Sequence, residues 1–202
     1  MQIRAVLFDI GGILEITPPT GWRERWESTL GLGPGELDER MSDVWRDGAV
    51  GKITEADVEA AIRQRLGVRD DQMDRFQTEM WDDYLGSPNV ELIDYFTRLR
   101  PRYRTGIISN SFVGARRREQ EGYGFGDICK LIVYSHEVGV DKPDRRIYDL
   151  TCERMALQPG ECVFLDDVEE NVVAAREVGF HAVLFANNAQ AINDIEVCLR
   201  SP

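Results

Sequence analysis

The sequence predicts an α/β fold, in which a Rossmann-like parallel sheet of about five strands has helices on both faces and carries an inserted α-helical cap. Two observations lead to this prediction. Short, continuous apolar runs alternate with helical patterns over most of the chain, which is typical of a parallel sheet covered on both faces. One long segment near the N-terminus breaks this alternation with helical patterns alone. The length of 202 residues suits one core with one appendage.

The predicted strands are apolar segments rich in β-branched residues, and the helices between them show apolar residues at helical spacing. The strands are predicted at residues 3–8, 103–109, 130–135, 161–165 and 181–186. The helices of the core are predicted at residues 114–123, 144–157, 169–178 and about 190–199. Since the strands alternate with helices, a parallel order is expected.

The inserted segment is predicted to be helical throughout, with no strand. Trp22, Trp26 and Leu30 follow a helical spacing, which predicts an amphipathic helix. The same spacing recurs further along the segment. Its remaining large side chains are predicted to pack within the segment itself: Trp45, Met73, Met80 and Trp81.

Capping patterns indicate where helices begin. Thr54 with Asp57 resembles a capping pair that opens a helix inside the insertion. Ser87 is predicted to cap the helix on which the core resumes, with Pro88 in the first turn. The domains are therefore predicted as residues 1–15 and 87–202 for the core and 16–86 for the cap.

The composition disfavours several function classes. A net charge of −12 opposes nonspecific binding to nucleic acid or anionic membranes, which carry the same sign. The basic run ARRRE, residues 115–119, is interpreted as a solvated helix face.

No apolar run approaches membrane-spanning length and the N-terminus resembles a strand rather than a signal peptide, so a cytoplasmic location is expected. The four cysteines form no C-x-x-C pair, which disfavours zinc and disulfides. The oligomeric state is not specified.

Polar residues follow the predicted strands at their carboxyl ends, where open parallel sheets bind ligands. Clustered carboxylates at such an edge are tolerated mainly when a hard cation such as Mg²⁺ lies between them. A lysine and a hydroxyl beside that cation suit a phosphate group, and a carboxylate could attack its phosphorus. The residues in question are Asp9, Ser109, Asn110, Lys142, Asp166 and Asp167.

Four stretches occur in the order of the motifs of one known family. LFDIGGIL resembles its first motif, IISNS its second, SHEVGVDKPDRRIY its third and FLDDVEENVVAAREVGF its fourth. The family is the haloacid dehalogenase-like (HAD) hydrolase superfamily, and the helical insertion after the first strand resembles the small cap of its phosphatase branch. Together the motifs span nearly the whole core.

This resemblance implies a Mg²⁺ site. It makes Asp9 both the nucleophile and a metal ligand, and Asp167 the main metal carboxylate, with Asp166 beside it. Gly11 would offer its main-chain carbonyl to the metal. Asn171 would help to orient Asp166 or Asp167.

The same resemblance implies a phosphate site and an activity. Ser109 and Asn110 would bind the phosphate, and Lys142 would bind it and stabilise its charge. The chain would then be a Mg²⁺-dependent hydrolase of small phosphorylated metabolites that forms an aspartyl-phosphate on Asp9. His136 and His181 are predicted to be structural, because neither has a nucleophile or metal motif around it.

One departure from the family pattern affects the mechanism. HAD phosphatases usually carry a second Asp two positions after the nucleophile, whereas this chain has Gly11 at that position. Glucose-1-phosphatase-like members of the family are similar, since their D-x-G pattern also has glycine there. Glycine cannot protonate a leaving group, a contribution of about 10²- to 10⁴-fold. Glu15 lies close to Asp9 in sequence, and Asp47 or Lys52 in the cap loop RDGAVGKIT could reach over the site, but none is assigned the proton role.

Three hypotheses stay open at this point. The chain is a phosphatase whose substrate needs little protonation or supplies the proton. Alternatively, it is a noncatalytic relative that binds a phosphorylated ligand or a protein. The third hypothesis is a 2-haloacid dehalogenase, which Asp166 and Asp167 disfavour because that chemistry is metal-free.

Overall fold

The computed structural model describes residues 2–200. Its main sheet has five parallel strands in the order β5-β4-β1-β6-β7, which confirms the predicted fold class. The strands of the chain are β1 (Ala5–Phe8), β2 (Glu15–Ile16), β3 (Ser87–Pro88), β4 (Arg104–Ser109), β5 (Leu131–Tyr134), β6 (Cys162–Asp166) and β7 (His181–Leu184).

Helices lie on both faces of this sheet. In order they are α1 (Trp22–Leu30), α2 (Glu36–Ala49), α3 (Glu55–Ala61), α4 (Asp70–Leu85), α5 (Val90–Leu99), α6 (Ala115–Tyr123), α7 (Phe125–Ile128), α8 (Ser135–Val138), α9 (Arg145–Met155), α10 (Glu169–Val178) and α11 (Asn188–Arg200). A π-helical turn, Ile62–Leu66, extends α3, and a 3₁₀ turn, Pro159–Glu161, precedes β6. No helix in residues 2–200 is both long and apolar enough to cross a membrane.

Strand β1 explains why the sheet is buried on both faces. Val6 and Phe8 pack into one apolar cluster with helices α5 and α11, whereas Ala5 and Leu7 pack into a second cluster with α9 and α10. Alternate residues of a strand point to opposite faces, so a fully apolar strand needs two cores. This is the reason that the apolar runs of the sequence are continuous.

Helices α1 to α4 and the π-helical turn supply most of a third apolar cluster, to which Phe112 and Val113 of the core also belong. We call residues 17–86, which run from the end of β2 to the start of β3, the helical insertion. Met73 is buried in its core, and the predicted capping box of Thr54 with Asp57 opens α3, so both predictions are confirmed. The domain boundaries at residues 15, 16, 86 and 87 stay a prediction.

Two predictions at the junction were wrong. Ile16, expected in a strand-free segment, lies in β2, which pairs antiparallel with β3. Ser87 does not cap the following helix; Asn89 does, by accepting the N–H of Leu92 at 3.5 Å. The physical reason is that the two segments joining the core to the inserted helices pair with each other, which places Ser87 and Pro88 in a short strand.

The insertion contacts the core closely at the end of α2. The main-chain N–H of Val113 donates to the carbonyl of Gly48 over 3.2 Å, and the hydroxyl of Ser135 donates to the carbonyl of Ala49 over 2.7 Å. Gly51 has a φ of +67°, and a Cβ there would lie 1.8 Å from the carbonyl oxygen of His136. Glycine is needed because the two backbones meet directly.

Candidate active site

Asp9 lies in the middle of the carboxyl edge of the sheet. Phe8, the last residue of β1, is in register with Ile107 of β4 and Leu165 of β6. The N–H of Asp9 continues this ladder by donating to the carbonyl of Leu165 over 2.9 Å. The Asp9 residue is 7% exposed, so its carboxylate is buried at the rim of the sheet.

Lys142 bridges two carboxylates at this rim. Its ammonium nitrogen lies 2.7 Å from Asp9 Oδ1 and 2.7 Å from Asp166 Oδ2, and its side chain is buried. The contact with Asp166 is a hydrogen bond, whereas the contact with Asp9 is an ion pair that leaves Oδ1 without a directed hydrogen bond. Burial raises the pKa of Asp9 to about 6, although Lys142 acts to lower it. One lysine therefore only partly offsets the two negative charges.

Asp166 is held in place by the start of helix α10. The N–H of Val168 donates to Asp166 Oδ1 over 2.8 Å, and the amide of Asn171 donates to both carboxylate oxygens over 3.1 and 3.2 Å. The hydroxyl of Tyr148 donates to the carbonyl of Asn171 over 2.9 Å. The structure therefore brings Asn171 and Asp166 together, while the supporting role predicted for Asn171 stays a prediction.

Asp167 completes a group of three carboxylates. One oxygen each from Asp9, Asp166 and Asp167 lie within 4.8 Å of one another. Gly12 has a φ of +70°, and a Cβ there would lie 2.1 Å from Asp167 Oδ2, so only glycine leaves the space that this carboxylate occupies. Partial burial and the nearby Asp166 raise the pKa of Asp167. Three hard oxygen donors at this spacing suit Mg²⁺.

The two predicted phosphate binders lie at the end of β4. Ser109 is buried and in register with Tyr134 of β5. Asn110 is exposed at the rim, and its side chain is bonded to Lys142 twice: Nδ2 donates to the Lys142 carbonyl over 2.8 Å, and Oδ1 accepts the Lys142 N–H over 2.7 Å. The structure therefore brings Asn110 and Lys142 together, while their roles stay predictions.

Gly11 is exposed beside Asp9 and leaves room for a side chain. An ideal Cβ at Gly11 would meet no atom within 4 Å, and its φ lies outside the left-handed region. The residue forms an isolated β-bridge with Glu15. The missing second carboxylate is thus not explained by lack of space.

Two further carboxyl groups are buried near this rim. Glu15 is 2% exposed and Glu119 is fully buried, and one oxygen of each has no hydrogen-bond partner among residues 2–200. Burial raises the pKa of Glu15 to about 9, and Glu119 and Asp9 add to the shift. Burial raises the pKa of Glu119 to about 7, against the effect of a hydrogen bond from Tyr134.

The interpretation of residues 115–119 as a solvated face is therefore wrong in part. Arg116 and Arg118 form surface ion pairs with Glu137 and Glu55. Glu119, by contrast, is buried on α6. The reason is helical geometry, since residue 119 lies one turn beyond the buried residue 115 on the inner face of the helix.

Other residues considered from the sequence have local partners. The ring nitrogen Nδ1 of His136 lies 2.6 Å from the hydroxyl of Ser111. Asp47, near the end of α2, pairs at 3.9 Å with Lys52 in the loop that follows. His181 is exposed at the start of β7.

A cavity of about 340 Å³ lies between the insertion and the rim, and the sequence did not predict it. Trp45, Met80 and Trp81 line it, although they were predicted only to pack within the insertion. Asn110 and Asp141 line its opposite side. Phe112, an aromatic residue directly after the polar stretch at the end of β4, is the feature of the sequence that could have indicated this cavity.

Comparison with known proteins places this geometry in a family. A family profile described as haloacid dehalogenase-like hydrolase matches residues 3–179, which is most of the chain. The chain belongs to the haloacid dehalogenase-like hydrolases. The order of motifs predicted from the sequence is thus that of its own family.

Curated relatives align with nearly all of this chain. D-ribitol-5-phosphate phosphatase of Bacteroides thetaiotaomicron is 24% identical over 210 residues, covering 99% of this chain and 100% of the relative. Acyl-CoA dehydrogenase family member 10 of Mus musculus is 36% identical over 211 residues, which are 98% of this chain but only 19% of that larger protein.

Solved HAD structures share the fold. A HAD family enzyme from Bacteroides thetaiotaomicron, in complex with magnesium and inorganic phosphate, superposes with a TM-score of 0.81 at 22% identity, covering 94% of this chain and 98% of that one. A HAD-like hydrolase from Porphyromonas gingivalis gives a TM-score of 0.80 at 23% identity, with both chains fully covered.

Proposed function

We propose that this protein is a Mg²⁺-dependent phosphatase that hydrolyses small phosphorylated metabolites through an aspartyl-phosphate on Asp9. One observation carries the proposal: the ammonium of Lys142 lies 2.7 Å from Asp9 Oδ1, at the rim where Asp166 and Asp167 also present oxygens. The ammonium group suits the negative charge of a phosphate ester, and the carboxylate beside it can act as the nucleophile. The relatives named for phosphatase activity support the same reading.

The donor set fits Mg²⁺. Asp9, Asp166 and Asp167 offer carboxylate oxygens within 4.8 Å of one another, and Asp9 Oδ1 is buried without a directed hydrogen bond. Asp9, Asp167 and the carbonyl of Gly11 would hold the ion, with Asp166 as a supporting carboxylate. Bound Mg²⁺ would screen the charge of the phosphoryl oxygens.

The residues of the chain would then carry out the reaction in two steps. A carboxylate oxygen of Asp9 attacks phosphorus, the bond between phosphorus and the ester oxygen breaks, and the alcohol oxygen leaves with the electron pair and takes a proton from solvent. Water then attacks the phosphorus, the carboxylate of Asp9 leaves, and phosphate keeps the remaining protons. Lys142 stabilises the phosphoryl charge, while Ser109 and Asn110 bind the phosphate.

We include three broader features in this proposal. Residues 16–86 act as a cap over the rim, which the cavity beneath helices α2 and α4 supports. The location is cytoplasmic, which the four free cysteines support. Nucleic acid and membranes are not partners, since the net charge of −12 opposes both.

The absence of an acid at position 11 favours one second candidate, a noncatalytic protein that binds a phosphorylated ligand. Position 11 has room for a carboxylate and lacks one. In that case the rim binds phosphate, and no ester is cleaved.

Hydrolysis of p-nitrophenyl phosphate with and without Mg²⁺ tests the proposal. We expect turnover that EDTA abolishes and that Asp9→Asn lowers by about 10⁴-fold or more, because the nucleophile is removed. The matched control is Asp74→Asn, an exposed aspartate of α4, which should leave the rate unchanged. Absence of turnover together with binding of inorganic phosphate would favour the second candidate, and metal-independent halide release from 2-chloropropionate would indicate a dehalogenase.

A further inference from the structure

The cavity between the insertion and the rim has largely aromatic walls. Trp22, Trp45, Trp81, Tyr84 and Phe112 line it together with Met80. These side chains come from α1, α2, α4 and the loop after β4, so the insertion supplies most of the wall. A volume of about 340 Å³ is at the lower end for small-molecule sites and would hold a group of one or two rings.

This cavity adjoins the rim that would bind phosphate. Asn110 and Asp141 line it, and the side chain of Asn110 is bonded to both the N–H and the carbonyl of Lys142. The ammonium of that lysine lies 2.7 Å from Asp9. A phosphate held at the rim would therefore direct its organic group toward the aromatic walls.

The polar groups on the insertion side of the cavity are already engaged with protein partners. Asp83 accepts the indole N–H of Trp22 over 2.5 Å and a hydrogen bond from Arg23 over 3.1 Å. The indole N–H of Trp45 donates to Asp38 over 3.1 Å.

On the core side the same holds for the two serines. The hydroxyl of Ser111 lies 2.6 Å from Nδ1 of His136, and that of Ser135 donates to the carbonyl of Ala49 over 2.7 Å. Apart from the exposed carboxylate of Asp141 on the core side, the cavity offers chiefly ring faces and the thioether of Met80. A hydroxyl-rich group would lose its water partners there without gaining equivalent ones.

A separate observation concerns the leaving oxygen. Gly11 provides no carboxyl group to protonate it, so esters of weakly basic oxygens are favoured. A phenolic oxygen, with a pKa of about 10 for its conjugate acid, departs without prior protonation more readily than an alkoxide. The cavity and the missing acid thus favour the same kind of ester.

We propose that the substrates are aryl phosphomonoesters, with the phosphate at the Lys142 rim and the aromatic ring stacked in the cavity under the insertion. This inference rests on the proposed function. In the reaction, the bond from Asp9 to phosphorus forms, the bond from phosphorus to the phenolic oxygen breaks, and the phenolate leaves with the electron pair and takes a proton from water.

The test distinguishes the contribution of the aromatic ring from that of a good leaving oxygen. The substrates are 2-naphthyl phosphate, acetyl phosphate, which has a good leaving group but no ring, and D-ribitol 5-phosphate. We expect the KM for 2-naphthyl phosphate to be about tenfold or more below the KM for the other two, the amount that stacking supplies. Trp45→Leu should lower the ratio of kcat/KM for naphthyl over acetyl phosphate about tenfold. Tyr103→Leu, an aromatic change at the opposite end of β4, should leave that ratio unchanged.

Binding to the Asp9→Asn protein provides the second measurement. Calorimetry should show 2-naphthyl phosphate binding about tenfold or more tightly than D-ribitol 5-phosphate, and Trp45→Leu should remove the difference. If wild-type protein turns over phosphates but prefers the polyol ester, the inference is overturned and the proposed function stands. If nothing is turned over but this binding preference holds, the phosphatase proposal fails and the ligand class stands. Equal binding of both compounds overturns the inference.

Discussion

Two buried pairs of acids in this molecule are stabilised in different ways. Asp9 and Asp166 share the ammonium of Lys142, at 2.7 Å from each. Glu15 and Glu119 form no ion pair with any lysine or arginine in residues 2–200, and one oxygen of each has no hydrogen-bond partner there. Burial raises the pKa of Asp9 in the first pair, and Lys142 opposes that rise. In the second pair burial raises the pKa of both acids, and neither has an ion-pair partner in the described residues.

Under the proposed function, this difference distinguishes acids that take part in the reaction from acids that only pack in the interior. A buried carboxylate that keeps its charge can attack phosphorus or hold a cation, and it needs a nearby positive charge to do so. A buried carboxyl group that holds its proton fills space and makes stability depend on pH. The following substitutions remove the positive charge from the first pair, remove a carboxyl group from the second pair, or change the groups around the first pair.

The largest effect is expected from Lys142→Met, which makes the first pair resemble the second. Without the ammonium, Asp9 and Asp166 face each other as uncompensated acids. We expect hydrolysis of p-nitrophenyl phosphate to fall by about 10²- to 10³-fold and the free energy of unfolding to fall by about 3–5 kcal/mol. Steady-state kinetics measures the rate of hydrolysis, and urea denaturation measures the free energy of unfolding.

Lys130→Met is the matched control, because Lys130 is exposed just before β5. It should change neither quantity. Wild-type stability and rate in the Lys142→Met protein would show that the rim does not depend on this charge.

The next effect concerns the second pair. The pKa of Glu119 rises from an ordinary value of 4.5 to about 7 because of burial, with Asp9 adding to the rise and with Tyr134 and Arg116 acting to lower it. The folded state thus binds this proton more tightly, so its stabilising contribution is full below pH 4.5 and is lost as the pH rises through 7. Over that range we expect the wild-type free energy of unfolding to lose about 3 kcal/mol through this group.

Glu119→Gln should therefore flatten the fall in stability between pH 5 and pH 8. Urea denaturation at four pH values in this window measures it. Glu121→Gln, an exposed change on the same helix, should keep the wild-type slope. Parallel curves for wild type and Glu119→Gln would mean that this carboxyl group does not hold its proton. Glu15 contributes a slope of the same sign, so the fall is reduced rather than abolished.

A smaller effect is expected from adding an acid to the first pair. Gly11→Asp places a carboxyl group where a Cβ meets no atom within 4 Å and φ lies outside the left-handed region. We expect turnover of alkyl phosphates to rise about tenfold or more, because a proton donor for the leaving group is supplied. Gly11→Asn is the control that adds bulk without an acid. Equal rates for the two variants would show that the missing acid does not limit the reaction.

The smallest effect is expected from Asn171→Ala. Its amide donates to both oxygens of Asp166, and one such hydrogen bond is worth about 1 kcal/mol. We expect kcat/KM for p-nitrophenyl phosphate to fall about fivefold. Asn193→Ala on α11 serves as the control. A rate equal to that of wild type would indicate that Lys142 and the Val168 N–H hold Asp166 by themselves.

The sequence allowed prediction of features that depend on local pattern. The five strands follow from continuous apolar runs, and Asp9, Lys142 and Asp166 meet because the carboxyl ends of parallel strands share one edge. The burial of Glu119 could not be predicted, because it depends on packing of α6 against Tyr134 of β5. A glutamate after three arginines is typical of a solvated face, and only the fold shows which side of the helix is covered.

The aromatic cavity escaped prediction for a similar reason. Trp45 and Trp81 have the helical spacing of core residues, and both do contact the apolar cluster of the insertion or its neighbours. Which part of a tryptophan faces an open space depends on how the insertion lies against the loop after β4. That arrangement joins residues that are far apart in the chain, such as Trp45 and Phe112.

The paired linkers β2 and β3 have a consequence for how such a protein diversifies. Because Glu15 pairs with Pro88 and Ile16 with Ser87 in a small sheet of their own, the two ends of the insertion lie side by side. We expect length changes between these points to leave the register of the core strands unchanged. Under the proposed function, a foreign helical segment grafted onto the same two strands would alter substrate selectivity while Asp9 and Lys142 keep their positions.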